Sequence, residues 1–142
     1  MLNPTGCLTF NDYAENVFVP YLERTSGTLH RVDVVWDEYI ADNLKESTRS
    51  TRGKEVRRRV LPDSRIPKNW ESYLRIDENK TELFMYLADK CTEIPPEQII
   101  STKGQDIVSN QQYELTNTLA PCSHEEADTR AILHVSDSAS ER

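Results

Sequence analysis

The densest chemistry in this chain is the nine-residue run Cys122-Ser123-His124-Glu125-Glu126-Ala127-Asp128-Thr129-Arg130. It puts three carboxylates at the start of a sequence with helical character. Ser123 with Glu126 has the Ser-x-x-Glu form of a capping box, which satisfies orphan amides at a helix start. Asp128 is left over once that cap is explained. Carboxylates clustered at one helix entrance are what an oxygen-ligand cation site requires, because magnesium and manganese take hard anionic oxygens. Glu125 and Asp128 are three apart and share a helix face. Glu126 and Asp128 are two apart and converge only if the first turn is irregular. The bland alternative stays open, since acidic residues favour helix amino ends through the macrodipole alone.

A second acidic candidate is Asp37. The run Arg31-Val32-Asp33-Val34-Val35-Trp36-Asp37 is β-branched and short, and predicts a buried strand over 31–37. Its last residue would sit at the carboxyl edge of a sheet, where sites form in open α/β folds. Asp37 could equally cap a following helix.

Other groupings carry less. Cys122-x-His124 with His134 fits no standard zinc spacing, and Cys122 with His124 lacks the orienting group of a nucleophile–base pair. His134 reads as a partly buried helix residue. Trp36 and Trp70 read as core rings rather than base-stacking platforms.

The elements that must position these residues follow from spacing. Thr9 caps a helix over 10–24, which Pro20 should kink or break. Residues 38–47 begin a second helix. Residues 48–69, polar, basic and punctuated by Gly53, Pro62 and Pro67, read as a mobile insertion. Asn79 caps a helix over 79–91, with Glu82 three residues later and Leu83, Phe84, Leu87, Ala88 and Cys91 along one face. Pro95-Pro96 ends it. Strands are expected over 98–102 and around Ile107-Val108, and a last helix over 124–138. This alternation is an α/β pattern in a single domain over 1–142.

Composition sets outer limits. The chain has 142 residues, 37% hydrophobic, with a mean hydropathy of -0.68, so the core is lean. No apolar run reaches membrane-spanning length, and no membrane partner is expected. The amino-terminal ten residues lack the basic-then-apolar form of a secretory signal. Cys7, Cys91 and Cys122 are scattered, which fits a reducing compartment, cytoplasmic or nuclear. The net charge is -7, yet residues 45–59 hold seven basic side chains against two acidic, a local +5 that leaves -12 for the rest. Such segregation points to a polyanion contact on one segment. Its cations are Lys45, Arg49, Arg52, Lys54, Arg57, Arg58 and Arg59, and arginine forks suit phosphate oxygens. A solvated loop or a nuclear-address signal would use the same composition.

Several of these stretches together resemble a known superfamily. Val34-Val35-Trp36-Asp37, then Leu44-Lys45-Glu46, then the arginine-rich run, resembles the flap-endonuclease pattern of a strand ending in aspartate that leads into a basic arch. Glu126-Ala127-Asp128 resembles the Glu-Ala-Glu ligand motif of the same PIN-like nucleases. The stretches 33–49 (DVVWDEYIADNLKESTR), 75–84 (RIDENKTELF) and 121–130 (PCSHEEADTR) resemble a set of uncharacterised multicopy animal proteins that carry a PIN-like domain and travel with mobile elements.

The resemblance implies a PIN-like three-layer α/β fold with a short, mostly parallel sheet. It implies Asp37, Glu126 and Asp128 as ancestral ligands for magnesium or manganese, with Glu125 as a substitute, and Arg49, Arg52 and Lys54 in a phosphate-gripping arch. Longer relatives have a strand with Asp-Gly upstream and a strand ending in Asp-x-Asp downstream, so the chain is expected to be clipped at both ends and short of ligands. Exposed sheet edges would then invite a partner strand or self-association. Three functional expectations follow: a nonenzymatic nucleic-acid or protein interaction module, a mobile-element remnant without selected function, and a residual metal-dependent phosphodiesterase.

Overall fold

A computed structural model describes residues 1–39, 58–94, 98–111, 119–122 and 127–140. The chain begins with one long helical arm: α1 (Phe10–Tyr13), a π-helical turn (Ala14–Phe18) and α2 (Val19–Ser26). Thr9 caps it as expected. Its hydroxyl accepts from the Asp12 amide at 3.1 Å, while the Asp12 carboxylate accepts from the Thr9 amide at 3.0 Å. Pro20 does not break the arm. The turn before it is widened, with the Val19 amide donating to the Ala14 carbonyl five residues back, and a π turn of this kind makes room where a proline ring would crowd a regular helix. Gly27, at φ 51°, ends the arm in a backbone conformation that side chains disfavour.

Three strands form one sheet in the order β1 (Arg31–Val34), β2 (Gln98–Lys103), β3 (Asp106–Ser109). β1 and β2 are parallel, with Arg31 opposite Gln98 and Val34 opposite Ser101. β2 and β3 are antiparallel, with Ile100 opposite Ser109 and Lys103 opposite Asp106. Gly104, at φ 59°, opens the tight turn between them. The mixed helix-and-strand α/β expectation therefore holds, with one parallel and one antiparallel pair. β1 is shorter than the expected 31–37. Beyond Val34 the chain leaves the ladder, and the Trp36 amide donates to the Thr102 hydroxyl at 2.9 Å instead.

Between β1 and β2 lie α3 (Trp70–Leu74) and α4 (Asp77–Cys91). The last helix, α5, spans Ala127–Ser140. The apolar core joins Phe10, Tyr13, Ala14, Phe18 and Leu22 of the arm to Tyr73, to Leu83, Leu87 and Cys91 of α4, and to Ile99 of β2. Trp36 stacks on Phe84 with ring centroids 4.7 Å apart, and Trp70 stacks on Tyr73 at 5.3 Å. Both tryptophans serve the core, as expected.

Asn79 was expected to cap α4; it does not. The helix starts two residues earlier at Asp77, and Asn79 is fully buried inside its first turns. Its amide donates to the Tyr73 carbonyl at 3.1 Å, and its Oδ1 accepts from the Arg58 amide at 2.9 Å. Glu82 accepts from the Val60 amide at 3.0 Å. The two residues read as a capping box instead hold down the 58–60 segment. Further along, the Phe10 amide donates to Ser64 O at 3.0 Å and the Ile66 amide to Leu8 O at 2.9 Å. The second half of the expected insertion, 58–69, thus has fixed anchors on the arm and α4. Residues 48–57, and most of the helix expected over 38–47, lie outside the described residues.

Candidate functional site at the amino end of the last helix

β1 and α5 face each other through charged side chains. Arg31 and Asp33, two apart on β1, share a face of the strand. Arg31 Nε lies 2.9 Å from Asp33 Oδ2, and Arg31 Nη2 lies 3.0 Å from Asp33 Oδ1 and 3.0 Å from Asp137 Oδ2 on α5. His134, also on α5 and buried, sits with Nδ1 2.7 Å from Asp33 Oδ1. Burial pushes the Asp33 carboxyl up, but hydrogen bonds from His134 and Arg31, with the Arg31 charge beside it, hold it below the usual carboxylate range. An ionised carboxylate only accepts, so His134 carries its proton on Nδ1 and donates it to Asp33.

Nearer the start of α5 stands Asp37. Its Oδ1 accepts from the Ala127 amide at 2.8 Å. That bond gives Asp37 a capping contact, with the last helix rather than the next one. It also brings Asp37 to the chain position between Glu126 and Asp128. Asp128 is solvent-exposed, and Glu125 and Glu126 lie outside the described residues, as do Ser123 and His124. Arg130 is 1% exposed. Its Nη2 donates to the Gly104 carbonyl at 2.6 Å and its Nη1 lies 3.9 Å from Glu38 Oε2. Its Nε has no hydrogen-bond partner among the described residues.

Among the described residues, these carboxylates do not gather into a cradle for magnesium or manganese. Asp37 has an oxygen committed to an amide, Asp128 points to the surface, and Asp33 and Asp137 already face Arg31 and His134. Among the described residues, no group of three or more His, Cys, Asp or Glu side chains could hold a metal ion. A divalent cation needs several free anionic oxygens at once. Of the basic set, Arg49, Arg52, Lys54 and Arg57 lie outside the described residues, whereas Arg58 and Arg59 are exposed beside the anchored main chain of 58–60. Cys122 is buried, and its amide donates to the Gln105 carbonyl at 2.9 Å.

The Arg31–Asp33–His134–Asp137 cluster was not anticipated. Its signal was present as two opposite charges alternating in a β-branched strand, and as Arg130, His134 and Asp137 at helical spacing. No helix among the described residues is long and apolar enough to cross a membrane. No protein-family model matches the chain, and neither a curated protein nor a solved structure does.

Proposed function

We propose that this chain is a PIN-like α/β domain descended from a metal-dependent nuclease, now working without catalysis as a nucleic-acid-binding module. The observation that carries the reading is the Asp37–Ala127 hydrogen bond. It draws a carboxylate nominated from the far end of a strand to the helix start that bears the other nominated carboxylates, as an ancestral site would leave them. The same bond engages one Asp37 oxygen with an amide donor, which favours a capping role over cation chemistry for that carboxylate. Binding falls to the basic segment. Its carboxyl-terminal end is pinned where Asn79 and Glu82 hold the main chain at Arg58 and Val60, and Arg58 and Arg59 face solvent there. A cationic stretch fixed at its base engages phosphates at a lower entropic cost than a free one.

The test has two arms. Fluorescent single-stranded, duplex and flap oligonucleotides are titrated with the protein at several salt concentrations, and the same substrates are incubated with manganese. The expected result is binding that weakens steeply with salt and weakens further when Arg57, Arg58 and Arg59 become alanine, with no cleavage. Binding indifferent to the triple substitution would reject the module. Manganese-dependent cleavage abolished by Asp128→Ala would restore the nuclease.

A further inference from the structure

Helix α5 is amphipathic in the reverse sense. Among the described residues its buried side chains are Arg130, His134 and Asp137, while Ile132 and Val135 are 66% and 67% exposed and Leu133 is half-buried. Among the described residues, none of its side chains joins the apolar core built on the arm, α3, α4 and β2. What holds it is polar: Asp137 to Arg31, His134 to Asp33, Arg130 to the Gly104 carbonyl, and the Ala127 amide to Asp37. The charged and titratable groups that meet it are Arg31 and Asp33 from β1 and Asp37 and Glu38 from the segment after β1. Its own are Arg130, His134 and Asp137, with Asp128 facing solvent.

Ion pairs taken out of water return little net stability, because desolvation offsets most of the attraction. A helix whose ties among the described residues are mainly ion pairs and hydrogen bonds is held more weakly than one seated in an apolar core, and forms a separate cooperative unit. We infer that α5 is a reversibly docked helix, which leaves the sheet as a unit while the core under α1–α4 and β2 stays folded, its docking set by the charges on the Arg31–Asp33–His134–Asp137 cluster. When it leaves, Asp37 loses its amide partner, so the docking of α5 decides whether that carboxylate is committed or available. The inference does not depend on the nucleic-acid reading, since no member of the cluster belongs to the basic segment.

Native-state amide hydrogen exchange on the full chain tests it, comparing a peptide from α5 with one covering Leu83–Cys91 of α4. At neutral pH, α5 amides are expected to be protected at least about tenfold less than those of α4, as separate units require. Below the ordinary carboxylate range the α5 protection is expected to collapse first. Asp137→Asn, which keeps the shape but removes the charge facing Arg31, is expected to lower α5 protection by about another tenfold and leave α4 unchanged. Equal protection of the two helices in the unmodified protein would overturn the inference. So would loss of α4 protection in parallel with α5, or failure of the Asp137→Asn protein to fold, because α5 would then be integral to the core.

Discussion

Asp37 and Ala127 stand 90 residues apart in sequence, yet the carboxylate of one accepts from the amide of the other at 2.8 Å. A helix start leaves several amides without internal partners, and the residue just before the helix normally supplies the acceptor. Here an acceptor comes from the segment just after β1, so one bond does the work of a cap and of a tertiary tie.

Removing that acceptor should cost stability. Asp37→Ala is expected to destabilise the fold by about 1 kcal/mol, the usual cost of a lost cap. Asp37→Asn keeps an acceptor oxygen and should cost less. Urea titrations of the three proteins check the order. An alanine variant as stable as the parent would mean that the bond contributes nothing in solution.

Asn79→Ala should be the more severe change. It would take the acceptor from the Arg58 amide and one donor from the Tyr73 carbonyl, which keeps the Ile76 amide at 3.4 Å, and would leave the Asn79 site, fully buried, underfilled. Each unsatisfied buried group costs about 1–3 kcal/mol. Glu82→Gln keeps an acceptor for the Val60 amide and should be mild by comparison. Thermal melts of both variants give the comparison, and limited proteolysis should find the 58–60 segment cut faster only in the first.

Asp33 sets an acid limit. Its carboxyl is held below the ordinary range in the folded chain, after burial has pushed it up and His134 and Arg31 have pulled it further down. A depressed folded value means stability that is fully present above the unfolded value, about 3.9, and lost as pH falls through the folded one. Urea midpoints of the parent and Asp33→Asn, followed from pH 6 to pH 2, should differ most at the upper end and converge toward the lower. A gap that widened on acidification would contradict the pairing.

Cys91 should be chemically silent in the native protein. Burial pushes its thiol up to about 12, against the pull of a hydrogen bond with Ser101, and a thiol is attacked only as thiolate. Alkylation at pH 8 followed by peptide mass spectrometry should mark Cys7, which is half-buried, well before Cys91. Rapid labelling of Cys91 without denaturant would show that α4 opens readily.

How far the sequence led depended on which residues each element buries. The α4 face of Leu83, Phe84, Leu87, Ala88 and Cys91 was legible because apolar residues at helical spacing report burial directly. Asn79 was not, because a buried latch and a helix cap use the same small amide, and only the Arg58 main chain, 21 residues earlier, tells them apart. The end of β1 was misplaced since Trp36 bonds to the Thr102 hydroxyl, a choice made by β2. At the site, Asp37 was legible as a candidate carboxylate, but it lies three residues beyond the strand it was expected to end, and its amide partner was not legible. The cluster behind it escaped because periodicity reads burial from apolar side chains, and α5 turns its charges inward.

The widened turn in the first helical arm has an effect on helix phase. Phe10, Ala14, Phe18, Leu22 and Ser26 are all buried at intervals of four. In a regular α-helix each such interval overshoots a full turn by about 40°, so a ladder this long would wind away from the core. The π turn over Ala14–Phe18 winds the chain more slowly and takes back part of that drift, which lets one side of a long helix keep facing α4. Wound as regular α-helix with the same number of residues, the arm would swing Leu22 and Ser26 away from that side by one residue's rotation, about 100°.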